Sequence, residues 1–235
     1  MPLIDSTPIA MRRLPIYIVI GAKVFKDQSY ISLVDEAIHC LLHSWKNDPW
    51  MLDVATMSVI CGNLINLQQS DIYEIRNVDI KTDGDIPMNE TLDLMKECLN
   101  SNIVRTTREH KGDWKPLIIF FITGSRYNSL IHKFISDYTA ENRVYSNSLI
   151  ISKEVVFSDN DKNNFEVKSQ IINRNSINNI RFYSEMLSSE WNSFWSFVAE
   201  SYSNVSGRNL SLGMTVYNYF MNNNRQSPEL NYIHP

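Results

Sequence analysis

The sequence predicts an α/β fold: a Rossmann-like, doubly wound, mostly parallel central sheet with one antiparallel edge strand and helices on both faces. Three observations carry this. The runs Leu14-Pro15-Ile16-Tyr17-Ile18-Val19-Ile20 and Leu117-Ile118-Ile119-Phe120-Phe121-Ile122 are short, continuously apolar and rich in β-branched or aromatic residues. That is the signature of strands buried on both faces. Segments of this kind alternate with stretches whose apolar residues recur at helical spacing. No internal repeat or low-complexity linker divides the 235 residues, a length that suits one domain.

The elements follow in order. Residues 1–13 form a polar lead-in with two prolines, and the first strand is 14–20. Ile31, Val34, Ile38, Leu41, Leu42 and Trp45 mark a helix from Tyr30 to Trp45, ended by Asn47-Asp48-Pro49. Val54 to Cys61 reads as a second strand, broken by Gly62-Asn63. Asp71 to Ile80, with Ile72, Ile75 and Val78 among polar residues, reads as the exposed edge strand. Lys81 to Pro87 is a loop. Met88, Leu92, Met95, Leu99 and Ile103 stripe a helix over 88–104. Lys111-Gly112-Asp113 is a turn, and Trp114 to Thr123 is the central strand. Ser129 to Thr139 is a helix, Ser148 to Phe157 a strand, Lys162 to Ile172 a short helix and Ile180 to Tyr183 a last short strand. Ser188 to Val205 is an aromatic-rich helix, and 207–235 an Asn-rich tail beyond a single domain spanning 1–206.

Composition narrows the function. The chain is 43% hydrophobic and 20% charged, which excludes a disordered or collagen-like protein. A net charge of −4 argues against a general nucleic-acid or anionic-membrane binder. No apolar window reaches the length of a membrane span, and the N-terminus has no basic region followed by an apolar stretch, so no signal peptide is expected. Cys40, Cys61 and Cys98 are odd in number and widely spaced, which disfavours disulfides and a cysteine zinc site. A reducing cytoplasm is the expected setting. Only seven glycines are present, and neither a G-x-G-x-x-G nor a G-x-x-x-x-G-K-[ST] motif occurs, so no nucleotide-binding loop is expected.

Two stretches resemble a known family. Arg12-Arg13-Leu14-Pro15-Ile16-Tyr17-Ile18-Val19-Ile20 resembles the first strand of the TerY group of von Willebrand factor A domains. Lys111-Gly112-Asp113-Trp114-Lys115-Pro116-Leu117-Ile118 resembles that group's signature before its fourth strand, and Trp191 to Ser206 resembles its last helix. The resemblance spans residues 11–206. It implies a bacterial protein of tellurite-resistance and stress-response gene clusters, encoded beside a protein kinase and a PPM-type phosphatase. Members of the family hold a divalent cation at the carboxyl ends of the strands. Their ligands are an Asp-x-Ser-x-Ser motif after the first strand, a Thr before the third helix and an Asp after the fourth strand. Here the corresponding positions are Gly21, Lys23, Phe25, Ile86 and Gly124. None keeps an oxygen ligand, and an ammonium at Lys23 repels a dication. The metal-ion-dependent adhesion site is therefore read as degenerate, with no metal and no cofactor. A shifted site on Asp83 and Asp85 is the alternative, and two carboxylates on one loop would leave most of an octahedral shell to water.

In place of metal ligands, the loops at the carboxyl ends of the strands carry Lys23, Phe25 and Lys26 on one side and Ser125, Arg126 and Tyr127 on the other. Arg offers a bidentate fork and Lys a point charge to an acidic or phosphorylated side chain of a protein partner, while Phe25 and Tyr127 supply contact area. The alternative is that these are solvated loop residues left after the metal site decayed.

Four other constellations read as structural. His39 and His43 stand four apart on a helix with Asp35 a turn earlier, but the stretch is His-Cys-Leu-Leu-His and lacks the zinc-protease base. Thr123-Gly124-Ser125-Arg126 lacks the nucleophile elbow of Ser hydrolases. Trp191, Phe194, Trp195, Val198 and Tyr202 form a core stripe, and Glu74, Arg76, Asp79 and Lys81 protect the sheet edge. The expected function is a non-enzymatic protein–protein interaction module. An enzyme with an unrecognised site at the same sheet edge, and an immunity or effector-like protein whose surface mimics active relatives, stay open.

Overall fold

A computed structural model describes residues 12–108, 111–123, 127–142, 147–153, 163–173, 176–186, 188–205 and 229–233. The side chains of Asn128, Asn147, 163–173, 176–186, 188–190, 201–205 (Tyr202 of the expected core stripe among them) and 229–233 are not among those described.

Eight strands form one sheet. They are β1 (Leu14–Ile20), β2 (Ala55–Cys61), β3 (Leu64–Asp71), β4 (Leu117–Thr123), β5 (Asn147–Lys153), β6 (Asn163–Asn173), β7 (Ser176–Met186) and β8 (Glu229–Ile233). Their spatial order is β3-β2-β1-β4-β5-β6-β7-β8. The first five are mostly parallel: β1 pairs parallel with β2 and β4, β4 pairs parallel with β5, and only the edge strand β3 runs antiparallel. This half is the doubly wound α/β sheet that the sequence predicts. Beyond it β5-β6, β6-β7 and β7-β8 all pair antiparallel, so the sheet is longer and more mixed than predicted. β8 lies within the Asn-rich C-terminal stretch and closes this far edge.

The helices are α1 (Gln28–Lys46), α2 (Pro49–Val54), α3 (Met88–Asn102), α4 (Asn128–Asn142) and α5 (Ser188–Val205). Period-2 alternation sorts the strand side chains between two cores. Ile16, Ile18, Met57, Val59, Ile119, Phe121, Leu149 and Ile151 point to one face. There they meet Leu33, Val34, Ala37, Ile38 and Leu41 of α1 and Trp191, Phe194, Trp195 and Val198 of α5. Tyr17, Val19, Ile60, Ile118, Phe120, Ile122 and Ile150 point to the other. There they meet Leu92, Met95 and Leu99 of α3 and Ile131, Ile135 and Tyr138 of α4. β1, β2 and β4 are buried almost throughout because both faces are covered.

Three predicted elements need correction. The edge strand is 64–71, not 71–80. Ile72, Ile75 and Val78 are buried, but they anchor an extended loop against the α1/α5-side core. Glu74, Arg76, Asp79 and Lys81 accordingly decorate that loop, with Asp79 and Lys81 forming an ion pair, rather than guard a strand. The predicted helix at 162–172 is β6, and 180–183 is the middle of β7 rather than an isolated short strand. The run Val216-Tyr217-Asn218-Tyr219-Phe220, an apolar interruption of the Asn-rich tail, lies outside the described residues.

Both motifs that carry the family resemblance meet at the amino ends of β1 and β4. The Arg13 guanidinium donates to Asp113 Oδ1 and Oδ2 at 3.1 and 2.9 Å and to the Asn102 carbonyl. Asp113 Oδ2 also accepts from the Val104 amide at 2.8 Å. Arg12 stacks 3.9 Å over the Trp114 ring and donates to the carbonyls of Gly112 and Asp113. A Cβ on Gly112 would stand 2.2 Å from the Val104 carbonyl oxygen, so only glycine fits. The two stretches are therefore one clamp joining β1, β4 and the end of α3.

Candidate functional site at the carboxyl ends of the strands

In open α/β sheets, ligands bind outside the carboxyl ends of the strands where the strand order reverses. The chain runs from β1 outward to β2 and β3, then returns to β4 on β1's other side, so the switch lies between β1 and β4. There the Gly21 amide donates to the Phe121 carbonyl at 2.9 Å, closing the floor. Above it Gly21, Ala22, Lys23, Ile86, Met88, Ile122, Thr123 and Tyr127 line a shallow open pocket of about 10 Å³, room for a single water.

Each wall has a local cause. Gly21 has ordinary extended dihedrals (φ −67°, ψ 135°), so its backbone does not require glycine. A Cβ there would meet Met88 Sδ and the Phe121 carbonyl at van der Waals distance. The chain then makes a 3₁₀ turn, Ala22–Lys26. Val24 turns into the core, which leaves Lys23 at the pocket. The Lys23 Nζ lies 5.8 Å from the centroid of the Tyr127 ring, within cation–π range. Lys23 makes no ion pair among the described residues. α3 also starts at the pocket. Its N-cap is Pro87, with no side-chain cap, so the amide end of the helix adds positive potential near Met88, opposed by Glu90 in the first turn.

The loop 81–87 forms the outer wall. The side-chain amide of Asn66 brackets Lys81, donating to its carbonyl at 3.0 Å and accepting from its amide at 2.7 Å. Gly62, at φ +55°, turns the β2–β3 hairpin tightly beneath the loop. A Cβ on Gly62 would touch Thr82 Oγ1, Ile86 and Ala22 at 3.2–3.4 Å. The Thr82 hydroxyl and burial act on the Cys61 thiol beside it. Burial dominates and pushes the thiol up to about 12, so it is no nucleophile. Asp85 Oδ2 sits 2.7 Å from Lys26 Nζ, in an ion pair whose side chains are 47% and 65% exposed.

A second charged cluster fastens the same edge. Lys153, at the carboxyl end of β5 and 8% exposed, donates to Asp27 Oδ2 at 2.7 Å and Ser29 Oγ at 2.9 Å, with its ammonium 5.6 Å from the Tyr30 ring centroid. Asp27 is the N-cap of α1 and accepts from the Tyr30 amide. Burial raises the Asp27 carboxyl. The bonds from Lys153, Ser29 and Tyr30 outweigh that and hold it below its ordinary 3.8. A depressed folded-state value stabilises the fold above the unfolded value, and the contribution disappears as pH falls through the folded one. Lys153→Met is expected to lower stability near neutral pH by about 1–2 kcal/mol, because a charged hydrogen-bond donor to a partly exposed carboxylate is lost. It is also expected to flatten the acid limb of a stability–pH profile followed by urea unfolding.

Of the residues expected at this corner, the structure brings Lys23 and Tyr127 together. Phe25 instead packs, half-buried, against the α1/α5-side core. Lys26 is neutralised by Asp85. Ser125, Arg126 and Gly124 lie outside the described residues. Met88, Ile122 and Thr123 are lining groups that motif reading missed, and Asp85, weighed there only as a shifted metal ligand, is an ion-pair partner instead. Their signal is positional, since each follows or precedes an element end at the same sheet edge.

The divalent cation implied by the family resemblance can be tested against these side chains. Gly21 offers no donor, Ile86 and Phe25 are hydrocarbon, and Lys23 is a cation, so the set does not fit a hard dication. Asp85 is bound to Lys26 and Asp83 is exposed, which gives no converging pair. Among the described residues no group of three or more His, Cys, Asp or Glu side chains could hold a metal. On α1, His39 pairs with Asp35 at 3.5 Å on an exposed face.

Neither protein-family models nor curated proteins give a match to the chain. Among solved structures, the pyridoxal kinase from Staphylococcus aureus in complex with pyridoxal is 9% identical, with 95% of this chain and 100% of that chain covered and a TM-score of 0.30. The pyridoxal kinase from Staphylococcus aureus in a second structure is also 9% identical, covering 88% and 85%, with a TM-score of 0.28. Likeness at that level carries no functional argument. No helix among the described residues is long and apolar enough to cross a membrane.

Proposed function

We propose that the chain is a non-enzymatic, metal-independent protein-interaction module of the von Willebrand A type that receives an acidic side chain of a protein partner at the β1/β4 corner. One observation carries the reading. Lys23 stands at the rim of the pocket at the sheet's switch point, unpaired among the described residues and over the Tyr127 ring, where a metal-dependent relative needs an anionic or hydroxyl ligand. A cation with an aromatic neighbour is a natural receptor for a carboxylate and its hydrocarbon stem. The Arg12–Trp114 and Arg13–Asp113 clamp gives the two TerY-like stretches a common structural purpose. The same resemblance supports a partner encoded in a tellurite-resistance or stress gene cluster, such as a kinase or a PPM-type phosphatase.

The test is affinity capture of partners with wild type and with the Lys23→Glu plus Arg126→Glu pair. The charge-reversed protein is expected to lose the partner while its thermal unfolding stays at the wild-type temperature. Retention of the partner by the reversed pair overturns the reading.

A further inference from the structure

We infer that the acidic loop 81–87 self-occupies the docking corner: Asp85 sits on Lys26 as an internal stand-in for the partner's carboxylate and must be displaced for full engagement. The inference rests on the corner being a docking site, as proposed above.

The 3₁₀ turn presents two ammonium groups, Lys23 and Lys26. They differ in occupancy. Lys23 has an aromatic ring and no carboxylate among the described residues, whereas Lys26 is held by Asp85 at 2.7 Å. The loop that supplies Asp85 also supplies Ile86 to the pocket wall, so the contact and the wall move together. It is built to yield. Lys81, Asp83, Gly84, Asp85 and Pro87 are exposed, Gly84 takes φ +87° with nothing within 4 Å of where its Cβ would be, and the Lys26–Asp85 pair faces solvent. An exposed ion pair of this kind is weak and exchangeable. Charge complementarity names the occupant. What Lys26 already holds is a monoanionic carboxylate, reached end-on by a point charge. The partner group is therefore an Asp or Glu side chain rather than a phosphorylated residue.

The probe is a capped peptide carrying two Glu residues, titrated into ¹⁵N-labelled protein and followed by amide shifts of residues 21–27. Asp85→Asn is expected to tighten binding about two- to fivefold, the range by which an exposed ion pair competes. Asp83→Asn removes the same charge from the same loop without breaking the Lys26 pair and is expected to leave affinity unchanged. Equal gains from Asp83→Asn and Asp85→Asn, or no gain from Asp85→Asn, overturn self-occupancy. If Lys23→Glu still abolishes binding in that case, the docking corner itself stands. If Lys23→Glu leaves binding intact, or if no protein binds the peptide, both readings fall. Tighter binding of the phosphoserine counterpart overturns the assignment to a carboxylate.

Discussion

Trp195→Ala is expected to destabilise the protein by about 3–5 kcal/mol, the range for emptying a large buried aromatic site. Trp195 is fully buried and is the hub of the α1/α5-side core. Its ring centroid lies 5.4 Å from Phe121 on β4, 5.6 Å from Trp191 and 5.2 Å from Phe194, the last two edge-on. Truncation removes three aromatic contacts and leaves rigid rings that cannot close the void. Urea unfolding should show a lower midpoint with an unchanged m value. The polar edges of the two tryptophans separate packing from hydrogen bonding. Trp195 Nε1 has no hydrogen-bond partner among the described residues, whereas Trp191 Nε1 donates to the Leu33 carbonyl at 2.7 Å. Trp195→Phe should therefore cost less than Trp191→Phe, although both delete the same atoms. The reverse order would show that the hydrogen bond between α5 and α1 contributes nothing.

Asp113→Ala is expected to cost about 2–4 kcal/mol. The Asp113 side chain is 4% exposed and satisfies both the Arg13 guanidinium and the Val104 amide. Removing it strands a partly buried cation and an amide donor, and the penalty for orphaned partners exceeds the net worth of the bonds themselves. Arg13 is 40% exposed and can turn to water, which keeps the loss below that of a fully buried pair. The neighbouring Gly112→Ala acts by a different route: its Cβ is driven into the Val104–Thr106 backbone, so the clamp is forced apart rather than emptied. A double-mutant cycle between Arg13→Ala and Asp113→Ala should show coupling above about 1 kcal/mol, since the residues share two hydrogen bonds. Additive losses would mean that the clamp is a coincidence of two independent contacts.

The parallel half of the fold was readable because burial on both faces demands continuous apolar runs. Leu14–Ile20, Leu117–Ile122 and the stripes of α1, α3 and α5 leave no other reading. The edge strand differs from the expected 71–80 for a physical reason. Leu64–Asp71 is half exposed, polar and paired on one side only, so packing places little demand on its sequence. The three buried residues of 72–78 serve the core without ladder bonding and imitate a strand. β6 stands where a short helix is expected, although Phe165, Val167, Ser169 and Ile171 alternate with Glu166, Lys168 and Gln170. That period of two was the available signal, and the Asn-rich flanks obscured it. At the candidate site, residue types were legible but pairings were not. Nothing in the order of residues says that Lys26 meets Asp85 or that Phe25 turns inward. Both depend on how the 3₁₀ turn winds after Gly21.

The central position of β1 has a consequence for how the chain is made. Its two neighbours are β2, which follows it closely in the chain, and β4, which comes far later and whose Leu117 pairs with Ile16. At about 5–20 residues per second, translation leaves the β4-facing edge of β1 open for about 5–20 s after β1 itself is complete. Throughout that window an unpaired apolar strand waits on a nascent chain, which is the condition under which strands find wrong partners. The β2–β3 hairpin and α1 can shelter β1 on one edge and one face only, so this protein should depend on holdase chaperones between the emergence of β1 and that of β4, and far less afterwards.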